Sequence, residues 1–358
     1  MAEKHVVVLG AGVIGLQTAL TLLSRNVHVT LLSASWPGTL SDPYFTSMFS
    51  GAQWRSNPDR ADRRQQTWDR TTLLHWRRLV KLHPPAELGL EIRSAEFYWD
   101  APGPLDFIGE SHWWISDREL VPVRRLSSNE CTEKGFPSGV GISYLTVAVN
   151  PEIYCRWLLR QCEGATGARF GRRTVRVKSL TEALQAVPGA KAVVNCAGLG
   201  AQLLAHDEAC FPTKGQTVLV RGQARAVVTR RNEEGDEPWE ALVIPRPGER
   251  VTTLGGCKIA GDWNTEPDNR MTETILDRCK PLAPELLNEK GKFEVLEVRV
   301  GLRPSRRGGP MVEAEDLGDG QLVVHNYGHN SAGFEGSVGA AEDTAALLLS
   351  RWEGKTVL

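Results

Sequence analysis

Residues 5–15 read HVVVLGAGVIG, and this stretch decides the fold of the chain. Its first five residues form a short run rich in β-branched valine, which is typical of a buried strand in a parallel sheet. Leucines at positions 16, 20 and 23 then follow a helical spacing, and a second strand is predicted over 27–32. Strand, Gly-x-Gly-x-x-Gly, helix and strand in this order predict a dinucleotide-binding βαβ unit.

The three glycines of this turn have different tasks in such a unit. Gly10 allows the tight turn, Gly12 lets the backbone approach a pyrophosphate, and Gly15 lets helix and strand pack closely. Free N–H groups at the start of the helix then face the phosphates. A Gly-rich turn that binds nothing is the alternative interpretation. The residues expected to form the cofactor site here are Gly10, Ala11, Gly12, Val13, Ile14 and Gly15.

The end of the second predicted strand lacks the acidic residue that usually binds a ribose. Residues 32–35 read LSAS, so the ribose hydroxyls would meet Ser33, Ser35 or the backbone. This weakens an interpretation as an NAD protein more than one as an FAD protein, because other segments can share the binding of FAD.

The composition of the chain excludes several classes of protein. Its 358 residues are 24% charged and 41% hydrophobic, which is typical of a soluble globular protein of about two domains. A formal net charge of −1 predicts no basic surface for nucleic acid or membrane. No apolar run reaches the roughly 18–20 residues needed to span a bilayer. The seven cysteines show no metal-ligand spacing, so no metal is expected.

The rest of the chain predicts further elements. A helix is expected over 67–80, and Asn150 followed by Pro151 predicts the start of another. A strand followed by a Gly turn is expected over 193–200. Strand-like segments at 216–220, 241–244 and 250–254 are separated by polar loops. They suggest an antiparallel second domain inserted into the nucleotide-binding one.

Seven short segments occur along the chain in one order. They are VVLGAGVIGL (7–16), GLGA (198–201), KGQTVLV (214–220), IPRP (244–247), GG with GDW (255–256 and 261–263), VGLRP (300–304) and YGH (327–329). Together they resemble the family of D-amino-acid oxidases and D-aspartate oxidases, and the resemblance covers nearly the whole chain.

This resemblance implies an α/β fold, in which a Rossmann-like FAD-binding domain is interleaved with an α+β substrate domain built on a large antiparallel sheet. The FAD-binding domain would comprise residues 1–55, 146–220 and 295–358, and the substrate domain 56–145 and 221–294. The implied reaction is hydride transfer from the substrate Cα to flavin N5, with O₂ as acceptor. Its products are a 2-oxo acid, ammonia and H₂O₂, and no side-chain acid or base is expected.

The resemblance also implies FAD contacts in separated segments. Residues 331–335 match a segment at the pyrimidine edge of the flavin, where backbone donors stabilise negative charge. Beyond the first turn, the expected FAD contacts are Ser33, Ser35, Thr46, Ser47, Gly51, Ala52, Gln53, Val175, Cys196, Ala197, Gly198, Arg303, Ser331, Ala332, Gly333, Phe334 and Glu335.

Arg303 matches the arginine that binds the substrate α-carboxylate in this family. A planar guanidinium donates two parallel charged hydrogen bonds to a carboxylate and so fixes one pose. Arg306 and Arg307 are expected at the surface instead. The further substrate-binding candidates are Gln53, Arg55, Asn57, Leu242, Lys258 and Ser331.

Two departures from the family pattern concern the substrate. Leu242 stands where many D-amino-acid oxidases have a tyrosine, and Lys258 stands where D-aspartate oxidases have an arginine. A buried lysine without a counter-charge is costly, so its pocket should receive an anion. We therefore expect a preference for acidic D-amino acids. The alternatives are a broad oxidase of neutral D-amino acids and, for Lys258, a solvated strand end.

Other function classes stay open at this point. They are an oxidase or dehydrogenase of another amine such as glycine or sarcosine, an NAD-dependent dehydrogenase, and a flavin-binding protein without activity. The family implies a peroxisomal location, although residues 355–358, KTVL, lack the Ser-Lys-Leu signal; the cytoplasm is expected otherwise. The turn at 316–320 lacks the long insertion through which yeast relatives dimerise. The sequence leaves the oligomeric state open, with a homo-oligomer as one outcome.

Overall fold

The computed structural model describes residues 4–58, 61–100, 112–136, 140–165, 169–232, 238–318 and 320–353. The strands are β1 His5–Leu9, β2 His28–Ser33, β3 Leu90–Trp99, β4 Arg124–Arg125, β5 Val140–Val149, β6 Phe170–Thr174, β7 Ala192–Asn195, β8 Cys210–Arg221, β9 Val227–Asn232, β10 Trp239–Pro245, β11 Val251–Gly255, β12 Ile259–Ala260, β13 Val295–Arg306, β14 Ala314–Gly318 and β15 Gln321–His325.

The α-helices of the described residues are α1 Val13–Ser24, α2 Arg63–Leu79, α3 Pro85–Leu88, α4 Trp113–Ser116, α5 Ser128–Glu133, α6 Pro151–Glu163, α7 Leu180–Gln185, α8 Ala201–Leu204, α9 Asn269–Cys279 and α10 Ser337–Trp352. Short 3-10 turns lie at Thr46–Phe49, Gly198–Gly200, Pro284–Leu286 and Asn330–Ala332.

The first sheet contains the predicted βαβ unit. Its six strands lie in the order β14-β15-β7-β1-β2-β6, and all neighbours are parallel except the β14–β15 hairpin. Side chains alternate between its faces, since Val6 and Val8 pack in the core that contains α1, while Val7 and Leu9 pack with α7. Both faces are covered, which explains why β1 is a continuous apolar run. The sequence prediction for this region is confirmed.

The second sheet is larger and mostly antiparallel. Its path is β12-β8-β11-β10-β9-β3-β5-β4, and β13 also pairs with β8. The β3–β9 pair is parallel, and the other pairs are antiparallel. The predicted antiparallel sheet is therefore confirmed, and it forms one wall of the large cavity described below.

The strands do not follow the predicted domain boundaries everywhere. β8 and β13 belong to the second sheet, although they were assigned almost entirely to segments of the FAD-binding domain, and β5 crosses the boundary at 146. The reason is tertiary, because β13 pairs with β8 over their whole length, from Val295 with Val220 to Arg306 with Cys210. The division of the chain into domains otherwise stays a prediction.

Two helix predictions are confirmed with adjusted ends. α2 begins at Arg63, four residues before the predicted start, because the side chain of Asp62 accepts a hydrogen bond from Gln65 N at 3.0 Å and caps the helix. Asn150 caps α6 as predicted, accepting from Ile153 N.

None of the helices of the described residues is long and apolar enough to cross a membrane. The tail that bears on the peroxisomal signal lies outside the described residues.

Candidate active site

A cavity of about 670 Å³ has walls from both sheets. This volume lies within the usual range of sites for small ligands and cofactors. At one end lie the Gly-rich turn and the end of β2, and the walls also include β8, β10 and β13. Almost every predicted site residue lines this one cavity. The exceptions are Gly15 and Ala332, which are not part of its walls.

The Gly-rich turn forms a cradle that side chains would fill. Gly10 has a φ of 106°, and a Cβ there would lie 2.5 Å from the carbonyl oxygen of Cys196. A Cβ on Gly15 would lie 1.8 Å from the carbonyl oxygen of Gly10, which confirms its predicted packing task. The first turn of α1 has no acidic residue, and Gly12 offers no side-chain cap. These features fit the pyrophosphate of a dinucleotide.

The acidic group that the end of β2 lacks comes from the following loop. Ser33 Oγ accepts from Ala11 N at 3.2 Å and donates to the carbonyl of Ser35. Ser35 Oγ donates to Asp42 Oδ2 at 2.6 Å, and Asp42 lines the cavity beside both serines. Sequence reasoning missed Asp42, because the expected acid belongs at the strand end and this one lies in a loop. The arrangement fits the hydroxyls of a ribose.

Glu335 joins two segments that were predicted separately. Its Oε2 accepts from Arg55 N and its Oε1 from Asn57 Nδ2, both at 3.2 Å. Burial raises the pKa of the Glu335 carboxyl to about 7, despite these two donors. Asp69, which accepts from Ser56 Oγ at 2.6 Å, is also buried, and its pKa is raised by burial and by the charge of Glu335. Near neutral pH, Glu335 therefore carries a proton in part of the molecules.

Arg303 projects into the cavity from β13. Gly215, on the neighbouring strand β8, makes room for it, since a Cβ there would lie 2.3 Å from Arg303 Nη1. Nη1 donates to the carbonyls of Cys257 at 3.2 Å and Lys214 at 3.4 Å. Within the described part of the chain, Arg303 forms no ion pair with a carboxylate, and burial lowers the pKa of its guanidinium. A cation held in this way fits an anionic ligand.

The prediction that Arg306 lies at the surface is wrong. Its side chain is only 18% exposed, and its Nε donates to Asp207 Oδ2 at 2.7 Å. Tyr327 OH donates to the same oxygen at 2.8 Å. The pairing depends on Asp207, which is distant in sequence, so no local pattern could reveal it. Arg307 is exposed as predicted.

Glu240 is the main residue of the cavity that sequence reasoning missed. Arg55 Nη2 donates to both of its carboxylate oxygens, at 2.9 and 2.8 Å, and Arg231 Nη2 donates to Oε2 at 3.0 Å. Lys258 Nζ lies 3.9 Å from Oε1. Burial opposes ionisation of Glu240, yet Arg55, Lys258 and Arg231 hold the pKa of its carboxyl well below the usual range.

Glu240 changes the interpretation of the two predicted cations. Lys258 was expected to be buried without a counter-charge, but its side chain is 49% exposed and has Glu240 nearby, so that premise is wrong. Arg55, in contrast, is buried and already paired. Both residues line the cavity, as do Leu242 and Ser331.

Among the residues that the structure describes, two polar side-chain atoms of the cavity lining are buried without a hydrogen-bond partner, Gln53 Oε1 and Arg55 Nε. Gln53 Nε2 donates weakly to Thr229 Oγ1 at 3.3 Å. Buried polar groups normally find a partner, so these atoms fit a site that is completed by a bound molecule.

His329 lines the cavity, but its contacts are those of a packing residue rather than of a base. Its Nε2–H donates a hydrogen bond to Asn326 Oδ1 at 2.7 Å, and its ring packs on Trp68. Burial lowers the pKa of His329 to about 4, so the ring is neutral at physiological pH. In the described ranges, no group of three or more His, Cys, Asp or Glu residues could hold a metal ion.

Comparison with known proteins finds a matching family and several relatives. A family described as FAD dependent oxidoreductase matches residues 5–347. The chain is 30% identical to a D-aspartate oxidase of Talaromyces thermophilus, over 98% of this chain and 96% of the relative. It is 34% identical to a D-amino-acid oxidase of Rubrobacter xylanophilus, over 95% and 94%. It is 31% identical to a D-aspartate oxidase of Homo sapiens, over 97% and 95%.

Solved structures show the same fold at lower identity. A glycine oxidase of Geobacillus kaustophilus superposes with a TM-score of 0.75 at 17% identity, covering 99% of this chain and 96% of that one. An L-proline dehydrogenase of P. horikoshii gives 0.76 at 14%, covering 99% and 95%. These similarities confirm the predicted fold class, and at this level of identity they concern the fold alone.

Proposed function

The chain belongs to the family of D-amino-acid oxidases and D-aspartate oxidases, FAD-dependent oxidoreductases that act on D-amino acids, and on this premise we propose that its preferred substrates are acidic D-amino acids. The products would be a 2-oxo acid, ammonia and H₂O₂. The chemistry that FAD supplies when bound is acceptance of a hydride from the substrate Cα and delivery of the electrons to O₂.

The residues of the chain would bind FAD and the substrate and orient them relative to each other. The Gly10–Gly12 turn and the start of α1 would hold the pyrophosphate, and Ser33, Ser35 and Asp42 the ribose. The segment that includes Ser331 and Glu335 would hold the flavin. Reaction rates then depend on how precisely the substrate Cα is presented to the flavin, because no side-chain base takes part in the proposed step.

The unpaired guanidinium of Arg303 is the observation that carries the proposal of an amino-acid substrate. Two of its hydrogen bonds go to backbone carbonyls through Nη1, which leaves Nη2 and Nε for a carboxylate. A bidentate pair with the α-carboxylate would satisfy the charge and fix the orientation of Cα in one step.

The preference for acidic substrates rests on the charges at the other side of the cavity. Three cations, Arg55, Arg231 and Lys258, lie around the carboxylate of Glu240 on this side of the cavity. Lys258 is the cation that remains accessible from the cavity. A second carboxylate on the substrate would be attracted there.

Glu240 also favours the second candidate, a broad oxidase of neutral D-amino acids, because it offsets part of this positive charge. A substrate panel separates the two proposals: kcat/KM is measured by peroxide formation for D-Asp, D-Glu, D-Ala and D-Met. We expect the acidic pair to exceed the neutral pair by at least about tenfold, roughly the value of one charged hydrogen bond. Faster turnover of the neutral pair would refute the acidic preference.

Lys258→Met tests the residue behind this preference. The methionine keeps most of the length of the side chain and removes its charge. Because only the acidic substrates would meet the ammonium, kcat/KM should fall about tenfold or more for D-Asp and much less for D-Ala. Lys280→Met, which removes an exposed lysine paired with Asp277, is the matched control. An equal loss for both substrates would contradict the assignment.

A further inference from the structure

Glu240 stands in a wall of the substrate cavity, yet its carboxylate faces the guanidinium groups of its own chain. Its side chain is 11% exposed, and Arg55 Nη2 donates to both of its carboxylate oxygens. Arg231 donates a further hydrogen bond to Oε2. The strong acceptor positions of the carboxylate are thus in use before any substrate arrives.

Arg55 is held on its remaining sides as well. Its Nη1 donates to Thr229 Oγ1 at 3.0 Å, and its guanidinium lies 4.9 Å from the ring centre of Phe97. Its backbone N–H donates to Glu335. Within the described part of the chain, Nε is the one side-chain nitrogen of Arg55 without a partner. The two terminal nitrogens, which would form a fork for a substrate carboxylate, are occupied by Glu240 and Thr229.

We propose that Glu240 is a positioning residue that determines substrate specificity. By occupying Arg55, it leaves Lys258 as the cation that receives the side-chain carboxylate of an acidic substrate, and it limits the preference for such substrates over neutral ones. This inference rests on the proposed function, since it concerns the same cavity and the same class of substrate.

Glu240→Gln is the first test, because glutamine keeps the shape and removes the charge. The amide accepts from Arg55 Nη2 through one oxygen only and carries no negative charge, so Arg55 can attract and share a second carboxylate. We expect the KM for D-Asp to fall about tenfold relative to the KM for D-Ala. The dissociation constant of succinate, followed by the change in flavin absorbance, should fall by a similar factor without any turnover.

A double-mutant cycle then shows which cation is used. In the wild-type background, Lys258→Met should raise the KM for D-Asp about tenfold or more. In the Glu240→Gln background the same change should raise it less, because Arg55 shares the carboxylate. Glu294→Gln, at an exposed pair with Arg221, is the control and should leave both substrates unchanged.

A second variant covers the case in which an unpaired Arg55 prevents folding. Arg55→Leu combined with Glu240→Leu removes both charges together, which is often tolerated at a buried pair. The KM for D-Asp should stay within about twofold of wild type, since Arg55 does not contact the substrate while Glu240 is present.

Three results would overturn the inference. They are a KM for D-Asp raised tenfold by the double leucine variant, a parallel change for D-Asp and D-Ala in Glu240→Gln, and D-Arg as the best substrate of the wild type. A wild-type preference for D-Ala would instead refute the proposed function alone. The ratio of the two KM values should still fall in Glu240→Gln in that case, so the two failures are distinguishable.

Discussion

Replacement of Arg303 by methionine is the sharpest test of the site. Methionine fills much of the same volume, so the change removes the charge and the hydrogen-bond fork without leaving a large cavity. Hydrogen bonds to charged groups contribute about 1.5–3 kcal/mol each. Nη1 already donates to the carbonyls of Lys214 and Cys257, so Nη2 and Nε are the nitrogens left to bind the substrate carboxylate.

We therefore expect a loss of about 3–4 kcal/mol in transition-state stabilisation. This corresponds to a decrease in kcat/KM of about 10²–10³ for every D-amino acid, acidic or neutral. Arg303→Lys should fall between wild type and Arg303→Met, because a lysine keeps the charge and lacks the planar fork. The assay is initial-rate peroxide formation over a range of substrate concentrations, with flavin content measured by absorbance.

The same change should stabilise the protein in the absence of substrate. Arg303 has no carboxylate partner within the described chain, and a partly buried charge without a counter-charge destabilises the folded state. We expect Arg303→Met to raise Tm by a few degrees, whereas Arg307→Met, at an exposed neighbour, should change neither Tm nor kinetics. Near-normal kcat/KM in Arg303→Met with full flavin content would refute the carboxylate-binding assignment.

Two further predictions concern the cofactor and pH. Asp42→Asn should weaken FAD binding about tenfold, because a carboxylate accepts more strongly from ribose hydroxyls than an amide does. Titration of the apoprotein with FAD measures the dissociation constant. An unchanged affinity would show that Asp42 does not contribute to FAD binding. The pKa of Glu335 is raised to about 7, so its contribution to apoprotein stability is fully present below about pH 4 and is lost as the pH rises through 7. The unfolding free energy of the wild-type apoprotein should therefore fall between pH 5 and pH 8, and in Glu335→Gln this fall should be smaller by roughly 2–3 kcal/mol. Denaturant titration at the two pH values measures the difference. An unchanged pH profile would show that Glu335 titrates normally.

Much of the nucleotide half was predictable because its signals are local. The strand, the Gly-rich turn and the helix all lie within the first 24 residues. The Gly-x-Gly-x-x-Gly spacing also indicates where a side chain would not fit, which the structure shows at Gly10 and Gly15. The cap at Asn150 is local in the same sense. Arg303 was identified through family resemblance, since three arginines close together do not by themselves show which one enters a cavity.

The errors share one physical origin, which is pairing over a long sequence separation. Arg306 was placed at the surface because its partner Asp207 lies about a hundred residues away. Lys258 was treated as unpaired because Glu240 meets it only after β10 and β11 pair. The acid near the ribose was sought at a strand end, whereas the loop brings Asp42 back to Ser35.

By itself, the sequence determined the dinucleotide-binding unit, the antiparallel character of the second half and, through resemblance, the family. Those features depend on side-chain periodicity and on backbone conformations that neighbouring residues specify. Only the tertiary structure decided which charges face each other in the cavity, because strands distant in the chain bring Arg55, Glu240 and Lys258 together. The energy of a charge depends on its partners and its burial, and both exist only once the chain has folded.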